Sequence, residues 1–210
     1  SAAQLLGIGL LMSGMSEGGI PVLAGVLVAT LLAFAWSRIA GLRSIAWTDA
    51  FQAVVMMVSA ILLLTLIMSE LGGLGSFLSR FESSHADLLT VPSGSGMWSL
   101  NMFIGLTLPW LFFCISNPQV SQRFFIPQSV RAMKQMMGGF LVFGFVYTLI
   151  AVLWGFGARM LVPGLDNADM ATPTLLAMPF VPKALALVAM IGIVAAAVST
   201  IDSILLTLSS

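Results

Sequence analysis

Ala196, Ser199, Thr200, Asp202 and Ser203 stand together near the end of a long apolar run. On a helix, residues three and four apart share a face. The Ala196 carbonyl therefore lies beside the hydroxyls of Ser199 and Thr200, and Ser199 faces Asp202 and Ser203 one turn further on. Hydroxyls in such a run have a quiet explanation, since each can bond back to the carbonyl of the preceding turn. A carboxylate beside them has no such explanation, because an acid in hydrocarbon is costly and marks an ion or substrate pathway. Hard oxygens grouped around a negative charge are what a small hard cation accepts in place of water. The stretch reads as half of a cation site, and a second acid, Asp49, lies in another apolar run.

The elements that must hold these groups are membrane helices. Of 210 residues, 59% are apolar and 8% charged, against roughly a quarter charged in soluble domains. The fold class is therefore all-α polytopic membrane protein, with the lipid bilayer as solvent. Zero net charge argues against a nucleic-acid partner. A single cysteine, Cys114, precludes an internal disulfide, and the single histidine, His85, leaves no zinc or haem ligand set. His85 falls in a polar loop and is expected to be solvated. Ser199 with Asp202 has no histidine or lysine base, so an enzyme is not expected. The sequence carries no signal of oligomeric state.

Apolar runs cover about 1–14, 19–37, 44–69, 97–117, 135–162 and 179–209. Each complete run approaches or exceeds the roughly 20 residues that span hydrocarbon. The chain opens inside one run and stops inside another, so residues 1–210 are expected to be a partial transmembrane transporter domain lacking both ends. The second connection carries Arg38 and Arg43, and the fourth carries Arg123, Arg131 and Lys134, with no acid in either. Both are predicted cytoplasmic, because cytoplasmic loops are rich in Lys and Arg. The loop 72–96 is predicted external, with a turn at Gly72–Ser76, a short interfacial helix at Phe77–Phe81 and a flexible hinge at Ser93–Gly96. With that orientation Asp49 lies six residues beyond Arg43, about 9 Å of helix rise into the cytoplasmic half. Asp202 lies 24 residues beyond Met178, about 36 Å from the outer side. The two acids share a depth on different helices, as one cation site requires; hydration of each at the interface is the competing reading.

Pro109 within the fourth run and Pro118 at its end stand nine residues apart. Each removes a donor and crowds the preceding turn, so the helix is expected to kink or unwind at both. Discontinuous helices are where transporters place solute sites. Trp110 and Cys114, at i and i+4, with Asn117 and Pro118 at the break, are the candidate solute-binding residues.

Several stretches together resemble the sodium:solute symporter family. Gly41 followed by Thr48-Asp49-Ala50-Phe51-Gln52 resembles its Gly-x-x-x-x-x-x-Thr-Asp-x-x-Gln line. Pro118 with Arg123-Phe124 resembles its Gln-Pro-x-x-x-x-Arg-Phe stretch, and Ala195-Ala196-Ala197-Val198-Ser199-Thr200, then Ser209-Ser210, its Ala-Ala-x-Met-Ser-Thr signature and closing Ser-Ser. The resemblance covers the whole chain and is nearest to bacterial sodium/proline and sodium/pantothenate members. It implies a leucine-transporter-type inverted-repeat fold, with the six runs as core helices three to eight. It implies a sodium ion held by the Ala196 carbonyl, Ser199 and Thr200, completed by a first core helix absent here. Asp49 matches an acid that joins the equivalents of Ser199, Asp202 and Ser203 in a second sodium site of some members. Asp202 itself stands where several members carry a hydroxyl. Trp110 and Pro118 match a Trp and a Pro of the solute region of proline transporters, and Cys114 replaces an aromatic there. The implied function is sodium-coupled uptake of a small organic solute, such as proline, pantothenate or a related carboxylate-bearing nutrient. It would proceed across the cell (inner) membrane by alternating access. The competing class is a transporter-like sensor domain of a signalling protein.

Overall fold

The computed structural model describes residues 2–39, 42–90 and 99–209, and every regular element among them is a helix. In chain order these are α1 (Ala2–Met15), α2 (Val22–Ile39), α3 (Leu42–Glu70), α4 (Leu74–His85) and α5 (Leu100–Ser116). They continue as α6 (Pro118–Ser121), α7 (Val130–Leu161), α8 (Ala171–Leu176) and α9 (Lys183–Ser209). Three of them, α3, α7 and α9, are long and apolar enough to cross a membrane, and α1, α2 and α5 carry shorter apolar stretches.

Local chemistry sets the helix ends. The Ser129 hydroxyl accepts the Ala132 N–H at 3.2 Å, a side-chain cap that satisfies one of the free donors of a first turn. It starts α7 at Val130, ahead of the apolar run expected from residue 135. Pro182, whose carbonyl accepts the Ala186 N–H at 3.0 Å, sets the start of α9. Gly72 and Gly73 take φ of 84° and 90°, a backbone region open to glycine, and turn the chain into α4. That helix is longer than the expected Phe77–Phe81 stretch. Phe77 and Phe81 are its buried residues, and the His85 ring stacks on Phe81 at 5.1 Å between centroids. His85 is thus half-buried against an aromatic ring, not solvated. The periodicity of Phe77, Phe81 and His85 at i, i+4 and i+8 explains the correction. The hinge expected at Ser93–Gly96 lies outside the described residues, as does Ser210.

The chain forms two compact units, one of Ser1–Glu70 with Tyr147–Ser210 and one of Leu71–Val146. In the first, α1 packs on α2, α3 packs on α9, and α9 also touches α1 and α2. The α1–α2 crossing depends on two glycines. A Cβ on Gly25 would lie 2.9 Å from the Gly9 Cα, and one on Gly9 would lie 2.6 Å from the Val22 carbonyl oxygen. Small residues let helix backbones approach closely where lipid offers no hydrophobic drive. Leu11, Leu63, Leu176, Val181, Ala186 and Ala189 form the buried apolar cluster. The second unit holds α5 and α6. Here α5 runs unbroken through Pro109, so the kink or unwinding expected there is not a break. The break comes at Asn117, whose extended backbone (φ −94°, ψ 110°) precedes Pro118, as the steric clash of a proline with the residue before it requires.

Candidate cation site

Helices α3 and α9 bring the acid-bearing stretches of the sequence together. The Ser199 hydroxyl donates a hydrogen bond to Asp49 Oδ1, linking residues 150 positions apart. The pair lines a cavity of about 400 Å³ whose polar wall is Thr48, Asp49 and Gln52 from α3 with Ser199 and Asp202 from α9. Its remaining walls are apolar, among them Ile8 and Met12 of α1, Ala29 of α2 and Val198 of α9. Asp202 is 1% exposed, and its Oδ1 is buried with no hydrogen-bond partner. A buried carboxylate without compensation is expensive, so this oxygen fits a cation better than it fits the bare cavity. Ser203, one turn beyond Ser199, is buried but is not among the residues that line the cavity.

A different face of α9 carries Ala196 and Thr200. The Thr200 hydroxyl donates to the Ala196 carbonyl at 2.9 Å, the local back-bond that a hydroxyl makes in an apolar helix. A carbonyl oxygen has two lone pairs and a hydroxyl oxygen keeps acceptor capacity while donating. Both oxygens therefore remain able to bind an ion beside this helix. The six expected ligand residues thus fall into two sets: Asp49, Ser199 and Asp202 around one cavity, and Ala196 with Thr200 one face away, with Ser203 buried near the first.

The expected solute residues belong to the second unit. Trp110 is exposed and its ring lies 4.9 Å from that of Phe113. The side chain of Cys114 lies outside the described residues. At the break, the Asn117 N–H donates to the Phe113 carbonyl at 2.9 Å, and the Asn117 carbonyl accepts from Val120 and Ser121 at 3.0 Å each. The Asn117 backbone groups are therefore satisfied on both sides of the break.

Two glutamines escaped assignment from sequence. Gln52 stands three residues after Asp49 and lines the same cavity, with its Oε1 buried and unpartnered. Its spacing was the available signal. Gln4 of α1 also has a buried, unpartnered Oε1 and lines a second cavity of about 530 Å³ with Tyr147, Asp169 and Thr172. A lone amide in an apolar run was the hint there.

Comparison with known proteins matches the sodium:solute symporter family model over residues 1–210. A curated relative, the sodium/pantothenate symporter of Haemophilus influenzae, is 26% identical over 195 residues. That alignment takes in 91% of this chain and 40% of the relative, so the chain spans well under half of its length. No solved structure matches.

Proposed function

The chain belongs to the sodium:solute symporter family, a family of transporters and not of enzymes, and from that premise we propose that it carries much of the coupling-ion machinery of a sodium-driven importer. The observation that carries the reading is the meeting of Asp49, Ser199 and Asp202, whose Oδ1 has no hydrogen-bond partner, in one cavity among apolar helices. Sodium, a substrate of the cycle, exchanges water for these oxygens, while Ala196 and Thr200 offer a second pair on the neighbouring face of α9. Helices α1, α2, α3, α5, α7 and α9 serve as core helices three to eight of an inverted-repeat transporter of the leucine-transporter type, in the inner membrane. Trp110, Cys114, Asn117 and Pro118 contribute to the solute site at the break after α5. The solute is a small carboxylate-bearing nutrient, pantothenate or proline being the first to try. Sodium binding favours the conformation that accepts solute, and by linkage solute raises sodium affinity by the same factor.

The test is uptake by the full-length protein in proteoliposomes with an imposed sodium gradient, screened over pantothenate, proline and short carboxylates. Accumulation of at least one solute that collapses when choline replaces sodium is the expected result. Uptake indifferent to sodium for every transported solute would overturn the proposal.

A further inference from the structure

We propose that a cavity between α3 and α7 takes one acyl chain of a membrane phospholipid, whose ester carbonyl accepts the N–H of Trp154. The proposal stands apart from the sodium-coupled reading, since it concerns a different cavity and an uncharged guest. The cavity has a volume of about 350 Å³ and is walled by α3, α7, α8 and α9. Met56, Ser59 and Leu63 line it from α3, and Ile150, Trp154 and Gly155 from α7. The two helices close on each other just beyond it, where a Cβ on Gly157 would lie 2.6 Å from the Ile67 side chain.

Two features of the wall select the guest. Trp154 packs against the apolar cluster, and its Nε1 is buried with no acceptor. An indole N–H can only donate, and buried polar groups are nearly always paired, so the guest must carry an acceptor. No charged residue lines the cavity, so neither a coupling cation nor the carboxylate of a free acid finds a countercharge there. The guest is therefore neutral, mostly apolar and fitted with a carbonyl. Water could meet the N–H, but it would leave the apolar walls unfilled, and apolar cavities stay dry or take apolar guests.

Depth names the guest. Helix α7 has 32 residues, about 48 Å of rise, against about 30 Å of hydrocarbon. Shared between its ends, about 9 Å projects on each side. Trp154 stands seven residues before Leu161 at the helix end, about 10 Å of rise. It thus lies at the edge of the hydrocarbon, the level at which tryptophans gather and lipid ester carbonyls sit. An acyl ester enters with its carbonyl at this level and its chain running along Ile150 and Met56.

The full-length protein is reconstituted in phosphatidylcholine vesicles containing a phosphatidylcholine with a diazirine in its acyl chain next to the ester. After illumination without sodium or solute, the labelled residues are located by peptide mass spectrometry. The parent should label within 56–63 and 147–155 more heavily than on the exposed face of α2 at Leu23, Leu27 and Leu31. Trp154→Phe keeps a ring and removes the N–H; labelling of the cavity should fall about threefold or more. Gly155→Phe fills the cavity from a position where a Cβ meets nothing within 4 Å, and should lose the labelling. Gly138→Phe, elsewhere on α7 and equally open, should label as the parent does. Cavity labelling no heavier than that of α2 overturns the proposal, as would happen if another part of the full-length chain filled the space. Parent-like labelling in Trp154→Phe also overturns it, because water or another group then holds the indole. If Trp154→Phe does not fold, Gly155→Phe decides, and parent-like labelling there is fatal. Sodium dependence of uptake is untouched by any of these outcomes.

Discussion

Asp202 offers a test whose sign separates an ion ligand from a structural residue. Its carboxylate is buried and one oxygen has no partner, so without an ion it opposes folding. Asn in its place removes the charge and keeps the shape. In sodium-free buffer, Asp202→Asn of the full-length protein should melt higher by about 3 °C or more, from roughly 1–3 kcal/mol of relieved desolvation. Added sodium should then stabilise the variant less than it stabilises the parent. A residue that mattered only for packing would show no gain without sodium, and a thermal-shift assay across sodium concentrations distinguishes the two. What sequence could supply at this scale was depth and facing: helical spacing groups Ser199 with Asp202, and loop charge puts Asp49 level with them. It could not supply rotation. Whether Asp49 turns toward α9 depends on how two apolar helices pack, and a helix apolar on all sides carries no moment that says which side faces in. The same holds for Gln52: its place beside Asp49 in the motif is legible, while its share in the cavity that Ser199 and Asp202 also line depends on the helix pair.

Among the elements, the α1–α2 crossing is where sequence composition and packing meet most directly. A methyl on Gly25 would come 2.9 Å from the Gly9 Cα, whereas one on Gly7 meets nothing within 4 Å. Gly25→Ala should therefore destabilise the protein by about 1–3 kcal/mol through overpacking. Gly7→Ala on the same pair of helices should be neutral, or gain up to about 1 kcal/mol from helix propensity. Thermal unfolding of the two variants side by side measures the difference, and equal melting temperatures would contradict the close crossing. The fifth helix shows the limit of reading breakers from sequence. Both prolines remove a donor, yet only Pro118 ends a helix. Pro109 sits mid-helix, and α5 continues through it to Ser116. The proline rule alone treats the two alike.

At the scale of the molecule, the loop charges make a prediction about sidedness. In full-length protein carrying Cys114→Ala, a cysteine at Ser83 or Asp166 should react with a membrane-impermeant maleimide added to intact cells. A cysteine at Gln128 should react only after permeabilisation. Reaction at Gln128 from outside, with Ser83 and Asp166 reacting only after permeabilisation, would invert the orientation expected to set Asp49 and Asp202 at one depth. Family membership was legible because its motifs are short stretches of chemistry, such as Thr48-Asp49 and Ser199-Thr200, that can be read without a fold. The gathering of helices into two units was not, since the long helices on both sides of the division are written in the same apolar residues.

The bond from Ser199 to Asp49 carries a consequence for time as well as for place. A hydroxyl that donates to a carboxylate keeps its lone pairs, but the direction of the O–H sets where they point, so an arriving ion turns the group until a lone pair faces it. Rotation of a side-chain group of this kind takes about ps to ns in open surroundings, while helices rearrange over about μs to ms. Even if burial slows the rotor a thousandfold, the latch opens and shuts many times before the surrounding helices shift once. Ion capture can therefore reach equilibrium within each conformation, and the slow movement samples an occupancy already settled.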